Sequence, residues 1–154
     1  MKSKSTEINF YQLTKISLEK ALPKLLLKIL SGGGRAVLIA SNDEEVKSLD
    51  SMLWTFSTNK VVPHGTKNTP FPANQPVYIT SKEENPNGAD FLVMVSGATA
   101  DFVNGFSKCL DIFDGNNDND VNSARERWSR YKKGKNCKLT YWKQDEKGFW
   151  EQEE

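Results

Sequence analysis

Residues 123–133 set Trp128 and Tyr131 among Arg125, Arg127, Arg130, Lys132 and Lys133, a helix-compatible run with unusual chemistry. At about 100° per residue, Val121, Ala124, Trp128 and Tyr131 share one stripe, with Arg125, Ser129 and Lys132 along its edge. An indole at the margin of apolar and basic surface, beside guanidinium and ammonium groups, suits a ligand that is acidic and apolar-tipped. An amphipathic helix with a solvated charged face has the same pattern. The choice depends on the rest of the chain.

Other residues that could do chemistry carry simpler explanations. Gly32, Gly33 and Gly34 resemble a phosphate loop, but phosphate-cradling glycines follow a strand and open a helix, whereas these close a helix and precede a strand. No Gly-Lys-Ser or Gly-Lys-Thr sequence follows them, so they are expected to terminate the helix. His64 is the single histidine and has no serine or cysteine motif beside it, which favours an anchoring role. Asp43, Glu44 and Glu45 directly follow a cap position and complement a helix dipole better than they would a metal. The Asn- and Asp-rich residues 114–120 lack the closing Glu of a calcium loop and read as a solvated linker. No catalytic residue, cofactor or metal ligand is expected. Trp54 lies off the stripe of Leu49, Leu53 and Phe56, where it is either a core-margin residue or a wet apolar anchor.

The elements that position these residues follow from periodicity. Residues 8–13 read as a first strand, and Leu18, Ala21, Leu22, Leu25, Leu26 and Ile29 as a helix capped by Ser17, with Pro23 marking its first turn or a kink. Residues 36–40 form a continuous apolar strand of the kind buried on both faces. These three elements suggest a crossover unit. Ser41 or Asn42 caps a second helix bearing Val46, Leu49, Leu53 and Phe56. Residues 61–63 suggest a short strand, residues 77–80 and 91–95 two more, and a helix is expected from about Asp101, burying Phe102, Phe106, Leu110 and Phe113. After the basic helix, residues 138–143 and 149–151 flank a Gly-containing turn and suggest a terminal hairpin. The fold class is α/β: one domain, with a mainly parallel sheet flanked by helices, Rossmann-like without a nucleotide-binding loop, and a C-terminal hairpin. The expected division is a flexible N-terminus at 1–7, the α/β domain at 8–135, and an extension with an acidic end at 136–154.

The 154 residues suit a single core, and the net charge of +1 conceals a sharp asymmetry. Residues 121–143 hold eight Lys or Arg against Glu126, bordered by Asp111, Asp114, Asp118 and Asp120 before and by Asp145, Glu146, Glu151, Glu153 and Glu154 after. A basic band between acidic borders suggests a local anionic partner, while a duplex-DNA binder is usually basic throughout. Cys109 and Cys137 are too few for a zinc site or a disulfide framework, which fits a reduced setting. The first residues lack a secretory pattern, and the longest apolar runs are too short to span a bilayer. A soluble, cytoplasmic protein without membrane contact is expected.

Read in order, several stretches resemble the chi subunit family of bacterial DNA polymerase III holoenzyme. They are Phe10 and Tyr11 with Leu13, residues 35–40, Leu49 and Asp50 with Leu53 and Trp54, Val62 to His64, Pro76 and Val77, and residues 124–128. The resemblance runs from about Asn9 to about Tyr131, with the terminal aromatics as an extension found in part of the family. It implies a noncatalytic clamp-loader accessory protein that pairs with the psi subunit and binds the acidic C-terminal tail of single-stranded DNA-binding protein. By position, it implies that Arg125 meets the tail's terminal carboxylate and that Trp54 and Trp128 flank its aromatic end, with Lys132 or Arg130 nearby. Ser129 stands where relatives often carry a cation, and Trp128 where a tyrosine is common. The psi contacts implied are Val61, Val62, Pro63 and Phe113, Val61 replacing an aromatic. Two other readings stay open: a single-stranded nucleic-acid-binding module using Trp54, Trp128 and Tyr131 as stacking platforms, and a nucleotide-dependent enzyme on the same scaffold.

Overall fold

The structure, a computed structural model, describes residues 6–95, 105–134 and 137–153. In chain order the elements are β1 (Thr6–Leu13), α1 (Leu18–Ser31), β2 (Ala36–Ile39), α2 (Asp43–Thr55), a 3-10 turn (Pro72–Asn74), β3 (Val77–Thr80), β4 (Phe91–Val95), β5 (Lys108–Asp114), α3 (Asp118–Lys133), β6 (Cys137–Gln144) and β7 (Trp150–Gln152). The strands form one sheet in the order β3-β2-β4-β5-β1-β6-β7. All neighbours are parallel except the β6–β7 hairpin. The expected fold class and C-terminal hairpin are therefore both present.

Strand alternation divides the core between two faces. In β2, Val37 and Ile39 join Ile8, Phe10 and Met94 on one face. Ala36 and Leu38 join Val93 and Ile112 on the other. Leu22 and Leu26 of α1 and Leu49 and Leu53 of α2 cover this second face, while Ala124 and Tyr131 bring α3 onto the first. Helices thus sandwich a sheet whose inner strands are apolar on both sides, as parallel sheets require.

Local termini follow the chemistry expected of them, with exceptions. Asn42 caps α2 by accepting the Glu45 amide at 2.8 Å, and Glu45 reaches back to accept the Ser41 amide at 2.9 Å. Ser17 occupies the cap position of α1, yet its side chain makes no capping bond and the helix continues through Pro23. The three glycines end α1. The Gly32 amide donates to the Lys28 carbonyl and the Gly33 amide to the Leu30 carbonyl, Gly33 takes φ 84°, and a Cβ on Gly34 would lie 2.8 Å from the Phe91 ring.

Several expectations are corrected. Residues 108–114 form a strand where a helix was expected; the start of that helix at Asp101 and Phe102 lies outside the described residues. Leu110 and Phe113 matched a helical period by coincidence, since β5 is buried on both faces and sends them to opposite cores. Residues 61–63 form no strand; the pairing in that region is an isolated bridge from Gly65 to Tyr78 at the β3 edge. The expected crossover unit is present, since β1 and β2 are parallel strands of one sheet joined by α1, with β4 and β5 lying between them. Asp111, expected on the acidic border of the basic band, is a buried residue of β5, and Asp118 and Asp120, expected in a solvated linker, belong to the first turn of α3. Thr6 and Glu7, expected in the flexible N-terminus, belong to β1; residues 1–5 and the expected boundary at 135–136 lie outside the described residues. No helix among the described residues is long and apolar enough to cross a membrane.

A basic aromatic cleft at the β6–β7 edge

The helix that carries the cleft is set by its own termini and by one buried ion pair. Asn117 caps α3 by accepting the Asp120 amide at 3.1 Å. Asp118 and Asp120 lie at its positive end and Arg130, Lys132 and Lys133 at its negative end, an arrangement that favours the macrodipole. Arg127 then locks its rotation. Its Nε and Nη2 donate to the two Asp111 carboxylate oxygens at 2.6 and 2.8 Å, with both residues buried. Burial pushes the Asp111 carboxyl above its usual range, while the Arg127 bonds pull it back and hold the pair together. Burial, then the Asp111 charge, pushes the Tyr131 phenol up to about 12.

With Ala124, Arg127 and Tyr131 facing inward, Arg125, Ser129 and Lys132 are exposed and Trp128 is half-buried at the margin. Trp128 meets Phe10 of β1 edge-on at 5.3 Å between ring centroids and Tyr141 of β6 at 5.7 Å. Tyr141 stacks on Phe10 and donates its hydroxyl to Gln12 Oε1. A surface cleft of about 300 Å³ opens beside this cluster, lined by Gln12, Arg125, Trp128, Tyr141, Lys143 and Glu153. Two cations, a fixed indole edge and a polar rim can hold a carboxylate beside an apolar group.

The expected site residues do not all meet. Arg125 and Trp128 line the cleft, and Ser129 and Lys132 lie one turn further along the same helix. Trp54 does not join them. Its helix covers the opposite face, and its ring lies 4.8 Å from His64 in the segment beyond the β3 edge. The cleft rests against β6, five strand steps from β3 in the sheet order, a separation of about 24 Å at the usual strand spacing. Tyr131 is buried with its hydroxyl toward the Met94 sulfur at 3.7 Å, so no base can stack on it.

The residues matched to psi divide in the same way. Val61 and Pro63 are exposed just before His64, the ring that Trp54 meets, Val62 is in the core, and Phe113 is buried on the α3 face against Tyr141. His64 anchors this region: its Nδ1 lies 2.7 Å from the Val62 carbonyl and its Nε2 2.8 Å from Asp50 Oδ1. A second cleft, of about 280 Å³, lies on the α1 side between Tyr11, Lys28, Gly33, Phe91 and Lys108, away from the basic aromatic cluster.

Sequence reasoning missed four lining residues, Gln12, Tyr141, Lys143 and Glu153. Their signal was the alternation of residues 138–143, which puts Tyr141 and Lys143 on one face, but the partner of that face is set by the parallel pairing of β6 with β1. It also missed the Arg127–Asp111 pair. An acid inside the apolar run Cys109 to Phe113 needs a buried cation opposite it, and that was a legible signal.

Fold and site together define an α/β domain with a mostly parallel sheet and a basic aromatic cleft at one edge. Residues 5–140 match the family described as DNA polymerase III chi subunit, HolC. The chain therefore belongs to the DNA polymerase III chi subunit family. It is also similar to the probable DNA polymerase III subunit chi of Rickettsia prowazekii (strain Madrid E), at 38% identity over 77 residues. That match covers 50% of this chain and 47% of the relative, so the chain spans about half the length of the curated relative it matches.

Proposed function

We propose that this chain is a noncatalytic accessory subunit that couples the DNA polymerase III clamp loader to single-stranded DNA coated by single-stranded DNA-binding protein. The acidic C-terminal tail of that protein enters the cleft at α3, its terminal carboxylate meeting Arg125 and its aromatic end packing on Trp128. The observation that carries the reading is that Arg125 and Trp128 line one cleft together with Lys143. Ser129 adds no charge there, and Lys132 supplies the next cation along the exposed face.

The psi subunit, and through it the clamp loader, docks on the separate patch around Val61 and Pro63. Trp54 belongs to this second patch. Trp54 and Val61 are each 62% exposed, so a partner that covered both would remove large apolar surface from water. The protein acts in the cytoplasm, and any contact with single-stranded DNA is weak or indirect.

Burying one aromatic contributes roughly 1.5–3 kcal/mol, and each charge-assisted bond to Arg125 roughly 1.5–3 kcal/mol. After the cost of association, binding near about −8 kcal/mol, or micromolar, is expected. Calorimetric titration with a short peptide of aspartates ending in phenylalanine tests this. Wild-type protein should bind, Arg125→Ala should lose about tenfold or more, and added salt should weaken the interaction. Equal affinity for wild type and Arg125→Ala would refute the assignment, and tighter binding of a bare oligonucleotide would favour the nucleic-acid reading.

A further inference from the structure

The cleft is already lined by one acidic residue of the same chain, Glu153, which directly follows β7. In the β6–β7 hairpin Lys143 lies directly opposite Glu151, and the Glu153 amide donates to the Tyr141 carbonyl at 2.8 Å. Residues paired across an antiparallel ladder share a face. Tyr141 and Lys143 face α3, so Glu151 and Glu153 project to the same side, and Glu153 is itself one of the lining residues. The hairpin is held by its own turn, in which Asp145 Oδ1 accepts the amides of Lys147 and Phe149 at 2.8 and 2.9 Å and Gly148 takes φ 86°. β7 is three residues long, pairs with β6, and exposes Glu151 and Gln152. A short edge strand of this kind belongs to the least stable part of a fold.

We infer that Glu151 and Glu153 are a built-in anionic competitor for the cleft, screening Arg125 and Lys143 until a more acidic ligand displaces their influence. The inference rests on the tail-binding reading for the identity of that ligand, and adds how the site is regulated. The physical basis is simple. Cations flanked by an intramolecular acid attract a second acid less than bare cations do, and the difference is a surface electrostatic effect that salt removes. The screen also sets specificity: a ligand with one carboxylate gains little over the resident glutamates, whereas a peptide with several acids and an apolar end gains both charge and indole contact. Coupling is reciprocal, so a ligand that engages Lys143 withdraws the cross-strand partner of Glu151 and loosens β7.

Two measurements on the full chain test the inference. In the first, the double variant Glu151→Gln with Glu153→Gln is titrated with the fluorescently labelled aspartate-rich peptide ending in phenylalanine, with fluorescence anisotropy as the readout. The variant should bind about three- to tenfold more tightly than wild type at low salt, since each exposed charge contributes a few-fold, and the difference should collapse at high salt. If wild type binds, Arg125→Ala does not, and the double variant matches wild type, the screen is refuted while the tail-binding reading stands. In the second, iodide quenching of the Trp128 fluorescence component, obtained by difference from Trp128→Phe, probes the cleft with a simple anion. Quenching should rise in the double variant, with neutral acrylamide quenching unchanged. An increase in iodide quenching without peptide binding by either protein supports the screen and overturns the tail as its ligand. Unchanged iodide quenching overturns the screen itself.

Discussion

Arg127 shows how a single residue decides what its neighbours present. A bidentate ion pair with Asp111, both partners buried, turns α3 so that Arg125 and Trp128 reach the cleft. Replacing Arg127 with Met leaves a buried carboxylate without its cation, and the expected loss is about 3–5 kcal/mol of stability by denaturant unfolding. Pairing it with Asp111→Leu should recover much of that loss, since a packed apolar pair is often no worse than a buried ion pair. Asp43 offers a titration test at the same scale. A hydrogen bond from Ser81, then the Lys67 ammonium at 3.1 Å, holds its carboxyl below the usual range. A group lowered in this way adds stability above the ordinary carboxylate range and loses it as pH falls through the folded-state pKa. NMR titration of Asp43 should therefore give a midpoint below that of an ordinary aspartate, and Ser81→Ala should raise it. The sequence showed Arg125 and Trp128 plainly, because helical spacing alone puts them at a margin. It also carried a signal for a buried cation, the acid inside the apolar run Cys109 to Phe113, but which cation answers that acid is fixed only by the placement of α3.

At the scale of elements, the C-terminal hairpin is part of the sheet and one wall of the cleft. β6 continues the parallel ladder alongside β1, and the buried Gln144 fastens the loop that follows β1. Its Oε1 accepts the amides of Thr14, Lys15 and Ile16 at 2.9, 2.9 and 3.3 Å. Gln144→Ala strands these donors and should cost about 1–3 kcal/mol, measured as a shift in the unfolding midpoint. Asn117→Ala removes the α3 cap and should cost about 1 kcal/mol, with faster amide exchange in the first turn of that helix. Helices and hairpin were legible because capping, glycine breaks and alternation are local signals. β5 was misread, since a strand buried on both faces shows no alternation, and its apolar positions are set by packing partners far away in sequence.

Across the whole molecule, the sheet keeps two surfaces apart. The basic aromatic cleft stands at the β6–β7 edge on the α3 side, and the Trp54 and Val61 patch at the β3 edge under α2. Sequence spacing cannot reveal this, because strand order scatters neighbours: β1, fifth in the sheet, follows β5 and precedes β6. The proposed arrangement lets one protein hold two partners at once, the tail of single-stranded DNA-binding protein at one edge and psi at the other. The most direct test follows the indole N–H resonances of labelled protein as the aspartate-rich peptide ending in phenylalanine is added. The Trp128 resonance should shift in a saturable way, together with the Gln12 and Lys143 amides, while Trp54 stays in place. A saturable shift of Trp54 with Trp128 unmoved would put the peptide at the β3 edge and overturn the assignment of the cleft.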